Sequence, residues 1–223
     1  DDEISLTYFE AGTLCGLWCL ANAELDLAVL EVGLGGRLDA VNIIDADVAI
    51  VTTIAQDHAN FLGTDLAQIG REKAGIFRAG KPAVLGSHAL PVSVSECAQS
   101  LAAPKFAIGQ QFTHQTMGEE YSNWRWQGQQ ADGTSIVVDE LPDPGLPIDN
   151  AATALQALVL AGMALVPAHV KVGLATVQLA GRLQWIGPWC LDVGHNPHAA
   201  EYVARHLPSP PEGGQQWGLI GML

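Results

Sequence analysis

The sequence predicts an α/β protein in which a mainly parallel sheet is flanked by helices and interrupted by a small antiparallel excursion. Three observations lead to this prediction. Short apolar runs alternate with helical segments, as in βαβ units. Residues 48–54, VAIVTTI, form a continuous β-branched run, typical of a strand that is covered on both faces. Residues 112–147 instead consist of short mixed polar and aromatic pieces, which favour antiparallel pairing.

The first half of the chain reads as helix and strand in turn. Residues 8–23 have a helical composition, and the buried strand predicted next, LAVLEV at 27–32, turns at the glycine loop 33–36. After the 48–54 strand, residues 65–78 predict a helix closed by Gly80, residues 82–86 a strand, and residues 91–102 another helix. Within the predicted antiparallel segment, YSNWRW at 121–126 is one of the mixed polar and aromatic pieces, and turns are predicted at Gly128 and residues 132–133.

The second half resumes with helices at 150–163 and 168–179, a strand at 189–193, a helix at 197–207 and a terminal strand at 217–221. We place a domain boundary near Gly181, which divides the chain into residues 1–180 and 181–223. The second part is about one βαβ unit and too small to stand alone. We therefore expect it to be the beginning of an incomplete domain.

Composition narrows the function classes. The chain has 223 residues, and its content of 48% hydrophobic and 15% charged residues is typical of a globular protein. Its net charge is −14. Nucleic acids and anionic membranes need a basic surface, so we expect neither as a partner. Only 10 residues are Lys or Arg. Any nucleotide would have to be held by metal ions, backbone amides and a few cations, and this predicts metal dependence.

The four cysteines include no C-x-x-C pair and are too sparse for a disulfide scaffold, which favours a reducing cytoplasm. Cys15 and Cys19 lie one helical turn apart in an apolar segment, and we expect buried core thiols there rather than a metal or redox pair. The acidic N-terminus is unlike a signal peptide, and Glu10 interrupts the apolar stretch, so no membrane span is predicted.

Acidic and imidazole side chains that could take part in catalysis or metal binding lie at the ends of two predicted strands. Glu31 closes the first predicted strand, and Asp57 and His58 follow the second, so these groups could face one crevice at the carboxyl edge of the sheet. A surface carboxylate and an incidental loop histidine are the simpler alternatives, although an unpaired buried carboxylate would be costly. The sequence contains no G-x-x-x-x-G-K-[ST] phosphate loop, so we expect that loop outside this chain if the protein uses ATP.

Five ordered motifs carry a family resemblance: EVGLGGRLDA at 31–40, Asp57-His58, GREKAGIF at 70–77, NAA at 150–152 and DVGHNP at 192–197. In order and spacing they resemble the dihydrofolate synthase/folylpolyglutamate synthase family of the Mur ligase superfamily. The resemblance covers nearly the whole chain. It implies a central Mur-ligase-type ATPase domain, without its N-terminal phosphate-loop segment, followed by the start of a Rossmann-like C-terminal domain.

The resemblance also implies a reaction, the ATP-dependent addition of L-glutamate to dihydropteroate or folates through an acyl phosphate. It implies one or two Mg²⁺ ions and a cytoplasmic monomer. Glu31 and His58 match magnesium ligands, and Lys73 matches a lysine that takes up carbon dioxide to become a carbamate; we assign catalytic roles to Lys73 and His58. The remaining matches are the pteroate-contacting residues Leu38, Asp39 and Ala40 and the ATP-holding residues Asn150, Arg182, Asp192 and His195.

Simpler interpretations accompany these roles. Without the resemblance, Lys73 is an ordinary exposed helix lysine, Arg182 a surface cation and Asp192 a turn former at a strand end. The stretch from Arg182 to Asp192 is shorter than the family pattern, which a tight hairpin or missing residues would explain. Two rival functions remain open: a Mur-type peptidoglycan ligase, against which GGRLD at 35–39 argues, and a non-catalytic folate- or nucleotide-binding remnant.

Overall fold

A three-stranded parallel sheet lies at the centre of the computed structural model, which describes residues 4–54, 65–117, 123–195, 197–210 and 212–221. Its strands, in the order β1-β2-β3, are β1 (Ala49–Val51), β2 (Ala83–Leu85) and β3 (Lys105–Ala107). Ala49 pairs with Ala83, and Val84 pairs with Phe106. All three side chains of β2 are buried, as expected of a central strand covered on both faces.

Helices cover one face of this sheet. These are α2 (Leu66–Ala74) and α3 (Val92–Ser100), which follow β1 and β2, whereas the first helix of the chain, α1 (Tyr8–Ala21), buries none of its residues. Asp65 caps α2 by accepting a hydrogen bond from the backbone N–H of Ala67. The two helices bury one apolar cluster with the sheet, formed by residues that include Val51, Ile69, Ala83, Leu85, Val94 and Ala98.

An antiparallel sheet covers the other face together with one helix. It contains β4 (Thr113–Met117), β5 (Asn123–Gln129) and β6 (Ser135–Pro142), and α4 spans Ile148–Leu160. Alternate residues of β5 point inward, so Trp124 and Trp126 are both buried. They share a second apolar cluster with Val84, Phe106, Phe112, Val138, Leu141, Ala152 and Leu155. The predicted antiparallel excursion is confirmed.

Polar groups inside this second cluster are hydrogen bonded. The Trp126 Nε1–H donates to the Ala152 carbonyl at 3.1 Å. The fully buried Gln156 amide pairs with the backbone of Gln129, accepting from its N–H at 3.1 Å and donating to its carbonyl at 2.7 Å. These bonds fix the position of α4 on the antiparallel sheet, because breaking any of them would leave a buried polar group unsatisfied.

The remaining elements are α5 (Pro167–Thr176), β7 (Gln184–Ile186), β8 (Trp189–Leu191) and α6 (Pro197–His206). Strands β7 and β8 form an antiparallel hairpin, with Gln184 opposite Leu191. A hairpin thus occupies the short stretch between Arg182 and Asp192. Among the described residues, no helix is both long enough and apolar enough to cross a bilayer.

Three sequence predictions are wrong. Residues 27–32 and 217–221 are not strands, because no described segment pairs with them, and a strand exists only through its ladder partners. Cys15 and Cys19 are exposed, since α1 buries none of its residues in the structure. Strand β3 was not predicted, because its three residues begin with an exposed lysine.

Candidate functional site

The glycine loop at residues 33–40 is docked against the C-terminal turn of α2. The Arg37 N–H donates to the Glu72 carbonyl at 2.9 Å. A Cβ atom on Gly36 would lie 2.7 Å from the Glu72 carbonyl oxygen and 2.9 Å from that of Lys73. On the opposite side, a Cβ on Gly75 would lie 2.8 Å from the Arg37 Cα. Two glycines therefore permit a backbone-to-backbone approach that larger residues would prevent.

Side chains reinforce this docking. The Arg37 Nε lies 3.1 and 3.2 Å from the two carboxylate oxygens of Glu72, and the pair is partly exposed. The Asn42 Nδ2 donates to the carbonyls of Arg37 and Gly75, both at 3.1 Å. The loop and the end of α2 are thus joined by backbone, amide and ionic contacts across more than 30 residues of sequence.

Within the loop, the Asp39 side chain is hydrogen bonded to nearby backbone groups. Its carboxylate accepts from the N–H groups of Leu34 and Val41, both at 2.9 Å, and so caps the short 3-10 helix Ala40–Ile43. Gly35 has a φ of 70°, the left-handed conformation that glycine adopts most readily. The Leu38 side chain is 79% exposed at the outer edge of the loop. Of the three predicted pteroate-contacting residues, Leu38 therefore presents the largest free apolar surface.

A cavity of about 460 Å³ opens beside this loop. It is lined by residues of three segments: Thr7, Phe9 and Glu10 at the start of α1, residues 34–40, and Gln68 and Glu72 of α2. A second hollow of about 370 Å³ also has Leu38, Asp39 and Ala40 in its wall. The three predicted pteroate-contacting residues thus line both hollows.

Glu10 belongs to the walls of both hollows. Its carboxylate accepts hydrogen bonds from the Thr7 backbone N–H at 2.7 Å and the Thr7 hydroxyl at 2.8 Å, which lower the pKa of this carboxyl. The Thr7 Oγ1 in turn accepts from the Glu10 N–H, completing a capping box at the start of α1. Glu10 therefore adds a carboxylate to a cavity wall that also contains Asp39, Glu72 and Arg37.

Lys73 lies in the last turn of α2 and is half-buried, whereas an ordinary helix lysine would be exposed. Its backbone is one of the groups that Gly36 approaches. No described residue forms a hydrogen bond or an ion pair with its amine. The structure thus brings Lys73 next to the loop that carries Leu38, Asp39 and Ala40, although the two segments are more than 30 residues apart.

The predicted metal ligands are not brought together in the described part of the chain. Glu31 is exposed, so its carboxylate bears no cost of burial and needs no buried partner. His58 and Asp57 lie outside the described residues. Among the residues that the structure describes, no three His, Cys, Asp or Glu side chains are grouped as a metal site would require.

The predicted nucleotide residues fall into two places. The Asp192 carboxylate accepts from the N–H groups of Leu183 at 2.9 Å and Gly194 at 2.6 Å, which ties the ends of the β7-β8 hairpin together. Arg182 and His195 are exposed beside it. Asn150 is exposed in the first turn of α4, and no hydrogen bond or ion pair among the described residues links it to this hairpin.

Burial raises the pKa of the Cys190 thiol, and the nearby Asp192 carboxylate raises it further. This hairpin thiol is therefore held in its neutral form.

Three residues that hold the docked loop, Arg37, Glu72 and Asn42, were not predicted as site residues from the sequence. Gly36 and Gly75, in the motifs at 31–40 and 70–77, could have indicated that these two segments meet, because each glycine lies at a close approach of the two backbones.

Comparison with known proteins places the chain in a family. Residues 10–136 match the model of the Mur ligase middle domain. The dihydrofolate synthase/folylpolyglutamate synthase of Escherichia coli K12 is 45% identical over 224 residues, which cover 99% of this chain and 51% of that protein.

Two solved structures are similarly close. The Escherichia coli FolC complex with DHPP and ADP has a TM-score of 0.85 at 44% identity, covering 94% of this chain and 50% of that one. A bifunctional folylpolyglutamate synthase/dihydrofolate synthase with Mn, AMPPNP and L-glutamate bound has a TM-score of 0.82 at 43% identity, covering 92% and 48%. The chain spans about half the length of these relatives. By its sequence and its fold, the chain belongs to the Mur ligase family and, within it, to the dihydrofolate synthase/folylpolyglutamate synthase family.

Proposed function

We propose that the protein containing this chain is an ATP-dependent ligase that adds L-glutamate to dihydropteroate, to folates, or to both. The observation that carries the proposal is the docked loop at residues 33–40, whose Leu38, Asp39 and Ala40 line a cavity of about 460 Å³. A cavity of this size with an apolar edge suits a ring system of the pteroate kind. Relatives that hold DHPP, ADP, AMPPNP and L-glutamate support the same substrate set.

The reaction needs two chemical steps. The γ-phosphoryl group of ATP is transferred to a substrate carboxylate, which gives an acyl phosphate and ADP. The L-glutamate nitrogen then attacks the acyl carbon, phosphate leaves, and the nitrogen loses a proton to give the amide. Catalysis by such a site depends mainly on positioning and on the neutralisation of phosphoryl charge. The anchored loop provides the positioning of the pteroate end.

Magnesium fits the proposed site through Glu31, because an exposed carboxylate is the hard oxygen donor that Mg²⁺ prefers, and the ion commonly binds through one or two carboxylates, phosphates and water. We propose Glu31 and His58 as its ligands, for one or two ions. When bound, magnesium would offset the negative charge of the ATP phosphates.

We propose that Lys73 acts as its carbamate. The residue is half-buried, its amine has no ionic partner among the described residues, and a carbamate would convert that cation into an anion suited to a metal-rich site. His58 is proposed as a second catalytic residue.

For the nucleotide, we propose Asn150, Arg182, Asp192 and His195. The Asp192 carboxylate already accepts two backbone hydrogen bonds, and its oxygens have further lone pairs that could accept from a ribose hydroxyl. We also propose that residues 1–180 belong to the central ATP-binding domain and residues 181–223 to a C-terminal domain, in a cytoplasmic monomer.

The proposal is tested with the intact protein by following ADP release. We expect ADP and phosphate only when L-glutamate and a pteroate or folate are both present. Leu38→Asp should raise the KM for the pteroate substrate and leave the KM for ATP unchanged, because it places a charge on the cavity wall. Val92→Asp, at an exposed position on α3, is the matched control. Equal turnover with a UDP-muramoyl substrate would instead identify a peptidoglycan ligase.

A further inference from the structure

A histidine of the antiparallel sheet is hydrogen bonded to the first turn of α4. The His114 Nε2 lies 2.6 Å from the Asp149 Oδ1, which joins β4 to the beginning of the helix. The side chains are 24% and 46% exposed, respectively. An ionised carboxylate can only accept hydrogen bonds, so the His114 Nε2–H donates.

The His114 ring is held firmly on its other side. It stands edge-on to the fully buried Trp124, with ring centroids 6.1 Å apart and an interplanar angle of 88°. Its Nδ1 is buried and has no hydrogen-bond partner among the described residues. Among the described residues, the hydrogen bond to Asp149 is therefore the polar contact that orients the His114 ring.

The first turn of α4 depends on that contact. The helix begins after Pro147, which provides no side-chain cap for its free N–H groups. The turn is tied instead by Asp149, whose carboxylate bonds His114 and whose carbonyl accepts from the Thr153 hydroxyl at 2.6 Å. Thr153 is buried against Gly86, the residue that follows β2. The start of α4 is thus held between the antiparallel sheet and the carboxyl end of the parallel sheet.

Asn150 directly follows Asp149 and is exposed. We propose that His114 is a positioning residue for the adenine nucleotide: through Asp149 it fixes the first turn of α4 and with it the direction of the Asn150 amide. The inference rests on the proposed function, in which Asn150 binds ATP. It assigns a role in nucleotide binding to a strand residue that lies outside the family motifs.

The test uses the intact protein and measures the KM for ATP, the KM for L-glutamate, kcat and ADP affinity by calorimetry. His114→Phe keeps a ring against Trp124 but removes the donor, and we expect the KM for ATP and the ADP Kd to rise about tenfold. The KM for L-glutamate should not change. His114→Gln can place an amide N–H near the Nε2 position, and it should restore ATP binding to within about twofold. His169→Gln, at an exposed position on α5, is the control.

Asp149→Ala removes the partner and should have the effect of His114→Phe, and the double variant should be no worse than either single one. If His114→Phe does not fold, Asp149→Ala carries the same test at a partly exposed position. Additive effects in the double variant, or equal rises in both KM values, would overturn the inference. Asn150→Ala separates the two proposals: if it leaves ATP binding intact, the nucleotide role of Asn150 fails as well, whereas if it alone weakens binding, only the role of His114 fails.

Discussion

Replacing Gly36 by alanine tests whether the docked loop depends on close backbone contact. The added methyl group would lie 2.7 Å from the Glu72 carbonyl oxygen, 2.9 Å from the Lys73 carbonyl oxygen and 3.0 Å from the Lys73 Cα. All three are backbone atoms of α2, which cannot rotate aside as a side chain can. The loop itself must therefore move away from the helix.

The loss in the free energy of unfolding caused by Gly36→Ala can be estimated in two ways. Overpacking a tight contact by one methyl group typically costs about 1–3 kcal/mol. Releasing the loop instead would remove the Arg37 N–H bond to Glu72 and the Asn42 bond to the Gly75 carbonyl, about 1 kcal/mol each, together with a partly exposed ion pair that contributes little. Both routes are consistent with a loss of about 2 kcal/mol, or roughly 4–8 °C in the unfolding temperature.

Thermal unfolding and hydrogen exchange of the Arg37 amide measure this effect. Gly36→Ala should lower the unfolding temperature and speed exchange at Arg37, whose N–H loses its acceptor. Gly173→Ala is the matched control, because this helical glycine of α5 has no atom within 4 Å of an added Cβ, and alanine there should stabilise by up to about 1 kcal/mol. Equal unfolding temperatures and unchanged Arg37 exchange in Gly36→Ala would refute the reasoning.

The other predictions concern activity and the core. Lys73→Ala should lose most activity but keep its fold, and high formate or acetate should partly restore it, whereas Lys73→Arg should not be rescued; activity without added carboxylate would contradict the carbamate role. Glu31→Gln and His58→Ala should each shift the magnesium dependence of activity to higher concentration, and titrations that match wild type would exclude both as ligands. Gln156→Leu should lower the free energy of unfolding by about 2–4 kcal/mol, because the Gln129 N–H and carbonyl both lose a buried partner, and urea unfolding measures it.

Most of the fold could be predicted from local sequence patterns, each contained within a single helix, strand or turn. The alternation of helix and strand through α2, β2 and α3, and the antiparallel sheet that follows, are marked by local periodicity and turn residues. Residues 27–32 have the apolar composition of a buried strand, but composition cannot provide a hydrogen-bonding neighbour, and no described segment does so. The opposite error occurred at β3, which forms because β2 pairs with it rather than because KFA is a strong strand sequence.

The site could be predicted only in part. The family motifs identified the loop at 33–40 and Lys73, but the contacts that join them link residues about 35 positions apart. A single sequence does not show that Arg37 and Glu72 meet. Nor did it indicate that the carboxylate of Asp39 would be engaged by backbone N–H groups of its own loop. For Asp192, the interpretation as a turn former did predict such bonds.

The two buried tryptophans of β5 also give the protein an optical probe of α4. Of the six tryptophans, Trp124 and Trp126 are shielded from water, whereas Trp18, Trp185, Trp189 and Trp217 are exposed. A soluble quencher such as acrylamide should therefore extinguish the long-wavelength part of the emission and leave a blue-shifted remainder. Because the Trp126 indole is bonded to the Ala152 carbonyl of α4, that remainder should report whether the helix stays attached to the antiparallel sheet.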